Sequence, residues 1–434
     1  MIFKEEKQSL IQLHNTFTFR SDINVLFKRN SSQTILLKND TSVKFAEELF
    51  GNVFYEDALE NLSSFYNVNP EIIENDLCDF IENINSHKQD KLQRKNRREG
   101  TPKWCDFDKI QFPLALEIEI TRRCNWNCKF CYNIWKHSKK VNSRIDLPWK
   151  DYKKIIDEAY ENGCVTIRLS GGEPTLHPEF KKFISYITEK GMSAALFTNA
   201  SILDNEMVEY LASLNLQTVL ISLHGLSEQH DMFTGIQGSF NTTIEKIKKL
   251  VNKGICVSVE TILCGNMEDG DLKELQNLLY ELNVANWNLM PFVKTGCPED
   301  EIYEFNLIKL PQILKDLDKN DGPLIKVVCS QKLCLGDINN IEKLNNIKAI
   351  DGNCGSGIIW ISISYDGFIR NCPHSNIYAG HYAEGIKNVY NKKMKPIVSS
   401  VFNTNNECSL CKLFDECKGG CHLHKIKGYN NDEI

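Results

Sequence analysis

Two hydrophobic rhythms divide this chain. Up to about residue 86, strand-like runs at 15–19, 23–28 and 33–38 are parted by Ser/Asp and Asn/Ser clusters that favour turns. Three helical stripes follow. Val43, Ala46, Leu49 and Phe50 share a face of the first; Ala58, Leu59, Leu62 and Phe65 share one of the second; Ile72, Ile73, Leu77, Phe80 and Ile84 line the third. Asn69-Pro70 gives that third helix an N-cap and a proline at its first position. Three strands and then three helices predict a small winged-helix-like α+β unit over residues 1–86.

From Leu114 onward strand and helix alternate. Buried-strand runs at 115–120, 165–169, 194–198, 219–223, 257–263 and 287–292 are separated by stripes such as Tyr152, Ile155, Ile156 and Ala159, then Ile244, Ile247 and Val251, then Leu272, Leu275, Leu279 and Leu282. Gly163, Gly191 and Gly254 stand where helices should end. Six such repeats predict an α/β fold with a partial (β/α)6 barrel at 108–300, whose chemistry belongs at the C-terminal ends of its strands. The basic, nearly apolar-free run within 87–107 is a linker. A bridging region at 301–350 carries helical stripes at Ile313, Leu314 and Leu317 and at Ile341, Leu344 and Ile347, and a cysteine-rich extension spans 351–434.

Composition narrows the function classes. A chain of 434 residues exceeds one ordinary core, and a formal charge of -6 implies no general attraction to nucleic acid. DNA binding by the first unit is further disfavoured by Glu71, Glu74, Asp76, Asp79 and Glu82 on its third helix. No apolar run approaches the ~18 residues of a membrane span, and the start MIFKEEKQSL lacks the features of a secretion signal, so a cytoplasmic location is expected. There, seventeen cysteines suggest thiols and metal ligands rather than disulfides.

The candidate chemistry begins directly after the first barrel strand. Thr121 to Tyr132 reads TRRCNWNCKFCY, with Cys124, Cys128 and Cys131 spaced C-x3-C-x2-C. Three thiolates are one short of a closed zinc site or a fully ligated iron-sulfur cluster, so something else takes the fourth position. The alternative, three buried structural cysteines, suits a polar loop poorly. One strand later Gly171-Gly172-Glu173-Pro174 gives a tight turn that lets backbone approach a ligand and offers a carboxylate to an ammonium group.

Together these motifs resemble the radical S-adenosylmethionine enzymes. The resemblance implies a 4Fe-4S cluster on Cys124, Cys128 and Cys131, with its open iron chelated by S-adenosylmethionine. It implies Phe130 against the adenine and Gly171, Gly172, Glu173 and Pro174 around the methionyl group. Asn199 and Ser222, at strand ends, become further cofactor contacts; Glu260 and Thr261 on the fifth strand and Met290 and Pro291 on the sixth stand at ribose and adenine positions but could equally line the barrel. Two positions depart from the family pattern. His224 replaces an aspartate and is expected to be a solvated loop histidine, and Thr234 stands where an arginine is common, leaving the carboxylate contact open.

The C-terminal cysteines resemble the SPASM extension of radical enzymes that act on peptides. Cys354, Gly367 and Cys372 fit its first segment, and Cys408, Cys411, Cys417 and Cys421 its C-x2-C-x5-C-x3-C segment. By that resemblance Cys354, Cys372 and Cys421 hold one auxiliary iron-sulfur cluster and Cys408, Cys411 and Cys417 another. Each is one ligand short; Cys329 or Cys334 could complete the first, or it stays open for a substrate thiolate, and His422 or His424 could complete the second, which otherwise does not form. A zinc knuckle suits the same spacing.

Residues 1–86 are similar to the RiPP recognition element, which grips the leader of a ribosomally made peptide by adding it as a strand to a free sheet edge. The combined resemblance implies a cytoplasmic oxidoreductase that binds a precursor peptide through its leader, takes an electron from a flavodoxin or ferredoxin, and joins a cysteine sulfur to carbon in a thioether. Carbon-carbon crosslinking, epimerisation, formylglycine formation and a non-catalytic, zinc-stabilised peptide-binding protein are the alternatives.

Overall fold

The computed structural model describes residues 10–29, 34–52, 54–86, 109–133, 146–214, 216–265, 267, 269–293, 303–318, 322–329, 347–348, 355–403, 420–421 and 423. The first unit consists of α1 (Ile11–Thr16), β1 (Phe17–Arg20), β2 (Val25–Lys28), β3 (Thr34–Leu36), α2 (Asp40–Gly51), α3 (Tyr55–Tyr66) and α4 (Pro70–Ser86). Its strands form an antiparallel sheet in the order β1-β2-β3, so β3 is an edge. Local chemistry sets the helix ends. Asn39 caps α2 by accepting from Ser42 N at 2.7 Å, and Asn67 closes α3 in the left-handed conformation.

Leu26, Phe45, Ala46, Leu49, Leu62, Leu77 and Ile81 fill this unit's core. The predicted stripes are rotated slightly. Phe65 and Ile72 are 63% and 54% exposed, while Phe45 and Ile81 take core places, because the tertiary partners select a face about one position away from the one the apolar count favours. α1, six residues without a side-chain cap, has too little local signal to predict.

The first unit is fastened to the barrel through its sheet. Ile23, Val25 and Phe27 join the main core. Arg20 is buried and donates to Asp22, to Phe112 O at 2.7 Å and to Gly163 O at 3.3 Å; Arg29 donates to Lys190 O at 3.3 Å. Phe112, Gly163 and Lys190 immediately precede three barrel strands, so the contact is at the N-terminal ends of those strands.

The barrel sequence runs β4 (Ala115–Thr121), α5 (Trp149–Glu161), β5 (Thr166–Gly171), α6 (Phe180–Glu189), β6 (Ser193–Thr198), α7 (Asn205–Ser213), β7 (Leu216–Ser222), α8 (Ser227–Thr234), α9 (Ser239–Asn252), β8 (Val257–Leu263), α10 (Asp269–Glu281) and β9 (Asn286–Pro291). All six predicted strands occur, pair in parallel and lie in sequence order. Gly163, Gly191 and Gly254 have φ of 71°, 76° and 76°, as helix-ending glycines should.

The sheet extends beyond the prediction. After α11 (Leu310–Leu317), β10 (Leu324–Val327) and β11 (Ile347–Lys348) continue it past β9, and β12 (Trp360–Ile363), β13 (Phe368–Arg370) and β14 (Tyr378–His381) continue it past β4. β12 is parallel to β4, whereas β13 and β14 turn back antiparallel. The result is an eleven-stranded α/β sheet. Its outward side chains, such as Leu116, Ile118, Ile167, Leu169, Val219 and Val259, pack under the helices in one continuous core.

Candidate functional site

The cysteine loop leaves the C-terminal end of β4 and is held from two sides. Asn127 N and Lys129 N donate to Thr234 O and Phe233 O at 3.1 and 2.9 Å, tying it to the end of α8. Asn125 donates to Ser201 Oγ at 2.8 Å and accepts from Asn199 Nδ2 at 3.0 Å, tying it to the loop after β6. Cys124, Cys128 and Cys131 are half-buried cysteines outside any disulfide on this one loop. Among the described residues no three His, Cys, Asp or Glu side chains are gathered into a ready-made metal cage. The donor set, three accessible thiols within one pinned loop, fits a cluster that draws its ligands together on binding.

The second motif packs against the first. Gly172 N donates to Thr121 O and Glu173 N to Arg123 O, both at 2.7 Å. Gly171 has φ 129°, and a Cβ there would lie 2.4 Å from Thr121 O; at Gly172 it would lie 2.1 Å from Arg123 O. Both positions therefore need glycine.

Glu173 is wholly buried and already committed. Its Oε1 accepts from Thr175 N, Thr175 Oγ1 and Thr198 Oγ1, and its Oε2 from Asn199 N at 2.7 Å. Burial raises its pKa against those hydrogen bonds. This carboxylate staples the turn to the end of β6, leaving room for a further donor only on Oε2. Pro174 opens the short 3-10 turn Pro174–Leu176 that follows.

Phe130 is buried in a cluster with Phe233, Cys264, Phe292 and Tyr303. Its ring meets His224 edge-on at 4.8 Å. His224 corrects the sequence expectation, because it is buried: its Nδ1 accepts from Ile262 N at 3.3 Å, its own N–H donates to His230 Nδ1 at 3.0 Å, and burial holds its pKa well below the usual histidine range. A histidine between backbone donors and an aromatic ring has no solvent to reach.

Thr234 is also buried, its hydroxyl engaged with Asp231 O and Ser239 Oγ. Thr261 belongs to the packing, since its hydroxyl donates to Leu223 O at 2.6 Å and accepts from Trp287 Nε1 at 2.8 Å. Met290 and Pro291 form the buried end of β9. Ser222 and Glu260 are opposed in register on β7 and β8. Burial, aided by the Glu117 charge, pushes Glu260 up to about 7 while a hydrogen bond from Asn288 opposes it.

Of the C-terminal cysteines, Cys372 and Cys421 are described and buried. Cys354, Cys408, Cys411, Cys417, Cys334, His422 and His424 lie outside the described residues. Cys329 is half-buried with φ 64°. Gly367, φ 87°, makes the turn between β12 and β13, where a Cβ would meet His381 Nε2 at 2.5 Å.

Sequence reasoning missed the charged interior. Glu117 and Glu119 on β4, Arg168 on β5 and Arg370 on β13 face inside the sheet, and Arg168 lies over the Trp360 ring at 5.4 Å. Charges alternating within an otherwise apolar strand, Ala-Leu-Glu-Ile-Glu-Ile-Thr, were the signal.

Residues 118–279 match the family model described as Radical SAM superfamily, and this stretch is a radical SAM domain, of a family that binds a 4Fe-4S cluster and S-adenosylmethionine. Among solved structures, that of Streptococcus suis SuiB bound to precursor peptide SuiA is 17% identical with a TM-score of 0.70, covering 94% of this chain and 95% of SuiB, a likeness of fold. Among curated proteins, Fe-coproporphyrin III synthase of Methanosarcina barkeri is 26% identical over 359 residues, 75% of this chain and 87% of its own length. The antilisterial bacteriocin subtilosin biosynthesis protein AlbA of Bacillus subtilis is 28% identical over 223 residues, 51% of this chain and 49% of its own. Among the described residues no helix is long and apolar enough to cross a membrane.

Proposed function

We propose that this chain modifies a ribosomally made precursor peptide by radical chemistry, forming a thioether between a cysteine sulfur and a carbon of another residue. The observation that carries the peptide reading is the first unit, a three-stranded sheet with β3 at an edge and α2, α3 and α4 following it, fastened to a radical SAM domain. On β3, Ile35 is buried while Thr34 and Leu36 point outward, the alternation an added strand needs. The chain's similarity to AlbA, a bacteriocin biosynthesis protein, and its likeness of fold to SuiB, whose structure holds a precursor peptide, support this reading.

In this reading residues 1–86 bind the leader, 87–107 link, 108–300 form the radical barrel, 301–350 bridge, and 351–434 hold auxiliary clusters. Cys124, Cys128 and Cys131 hold the first cluster. Gly171, Gly172, Glu173 and Pro174 receive the methionyl group, Phe130 flanks the adenine, and Asn199, Ser222 and Glu260 complete the nucleoside contacts. Cys354, Cys372 and Cys421 serve one auxiliary cluster and Cys408, Cys411 and Cys417 a second. When bound, the first cluster and S-adenosylmethionine supply a 5'-deoxyadenosyl radical able to take hydrogen from carbon. The chain's own residues position the peptide and keep water out. The protein is cytoplasmic and is reduced by a flavodoxin or ferredoxin.

The test is co-expression with a small cysteine-containing reading frame from beside the gene, followed by mass spectrometry. A loss of two hydrogens, with the cysteine blocked to alkylation, supports a thioether. The same loss with a free cysteine supports carbon-carbon crosslinking, and an unchanged mass with inverted stereochemistry supports epimerisation. An unmodified precursor, with S-adenosylmethionine still cleaved, turns the assignment towards a non-peptide substrate such as the tetrapyrrole in one relative's name.

A further inference from the structure

One inner corner of the sheet holds buried polar groups that no described residue satisfies. On β4 the outward residues Leu116, Ile118 and Ile120 belong to the main core, so Glu117 and Glu119 face the opposite side. Ser362 on β12 is in register with Glu117 on one side and Arg370 of β13 on the other. Arg370 Nη2 donates to Glu119 Oε2 at 2.5 Å, and Nη1 donates to Pro373 O at 2.9 Å. The two paired side chains are 6% and 0% exposed.

The pair is half a fork. Arginine and carboxylate can close two parallel hydrogen bonds, yet here Arg370 Nε and Glu119 Oε1 are both buried without a partner among the described residues. Ser362 Oγ, one strand over, is in the same condition. A buried polar atom left unmet is costly, so three of them on neighbouring strands call for an occupant.

The chemistry of the atoms selects it. Burial pushes the Glu119 carboxyl up to about 7; above that pH it is ionised and its Oε1 accepts, while Arg370 Nε can only donate, so an ammonium or a carboxylate would satisfy one and offend the other. A planar amide presents an N–H and a C=O to both. The surroundings place this corner near both cysteine segments: the ring of Tyr132, next to Cys131, lies 4.5 Å from that of His374, and Arg370 is close in sequence to Cys372.

We propose that Glu119 and Arg370 clamp a backbone amide of the peptide substrate, its N–H donating to Glu119 Oε1 and its C=O accepting from Arg370 Nε, with Ser362 Oγ serving either. The clamp rests on the peptide-modifying reading. It is a binding element flanked by the first thiol loop and the strand leading to Cys372.

The experiment titrates the full chain with N-methylacetamide and with methyl acetate, which has the same shape and no N–H, by ligand-observed NMR. The wild type should prefer the amide by about tenfold or more, since a buried acceptor rejects a ligand that cannot donate to it. E119Q and R370K should each lose that preference. The double variant E119M/R370M removes both charges while keeping apolar packing, so it should retain the wild-type circular dichroism and still lose amide binding. Equal affinity for both probes, binding of neither because water alone serves these atoms, or undiminished amide binding by the folded double variant would overturn the clamp. The precursor assay separates the two claims: a modified precursor with no amide preference sinks the clamp alone, and an intact preference with an unmodified precursor sinks the peptide reading alone.

Discussion

Replacing Glu260 by glutamine should stabilise the cluster-free protein, and only at neutral or higher pH. Burial and the neighbouring Glu117 raise the Glu260 carboxyl from 4.5 to about 7. The unfolded chain releases this proton near 4.5 and the folded chain near 7, so within that window the folded state holds the extra proton and stability falls as pH rises. Below pH 4.5 the penalty is absent; above pH 7 it is complete. The gap corresponds to about 3 kcal/mol, and the residual solvent contact of Glu260 reduces it to about 2 kcal/mol. Asn288 Oδ1 has no partner among the described residues, so its Nδ2 is the group that donates to Glu260, and the side-chain carbonyl of a glutamine at this position could still accept that bond. Urea unfolding of E260Q and wild type, followed by circular dichroism, should give nearly equal stabilities at about pH 4.5 and a variant more stable by about 2 kcal/mol at about pH 8. The same difference at both pH values, or a destabilised variant at the higher one, would refute the electrostatic account.

Three further outcomes test other parts of the molecule. Gly172→Ala places a Cβ 2.1 Å from the Arg123 carbonyl, so the cysteine loop must move; iron bound after reconstitution and deoxyadenosine release should both drop about tenfold or more while circular dichroism is unchanged. Cys124→Ala should abolish cleavage of S-adenosylmethionine yet leave leader affinity, measured by fluorescence anisotropy, within about threefold, because the proposed function puts the two sites in separate units. Arg20→Ala removes the bonds to Phe112 O and Gly163 O and strips Asp22 of its ion-pair partner; a loss of about 2–4 kcal/mol, seen as an earlier urea transition and faster proteolytic release of the first unit, is expected.

The barrel was legible because each of its strands is a local apolar run closed by a turn signal, and because Gly163, Gly191 and Gly254 mark helix ends that need a positive φ. β10 and β12, four residues each, carry no such frame, and their place in the sheet depends on neighbours far away in sequence. The site divides in the same way. C-x3-C-x2-C and Gly-Gly-Glu-Pro are short-range patterns whose geometry is nearly all local. The Glu119–Arg370 pair joins residues 251 positions apart, and no window on the sequence contains both. His224 failed for a related reason: a loop position suggested solvent, but Phe130 and the Ile262 amide close over it.

Anchorage of the first unit through Arg20 and Arg29 sets a minimum tether for any peptide held there. The anchor lies beneath the strands, the thiol loop lies above them, and β4 between is seven residues, about 20 Å at ~3.3 Å per residue. A chain gripped at β3 and reacting above must bridge at least that height, so the first modifiable residue falls no fewer than about six positions beyond the gripped segment. Shortening the intervening stretch of a precursor below that length should silence it without weakening its capture.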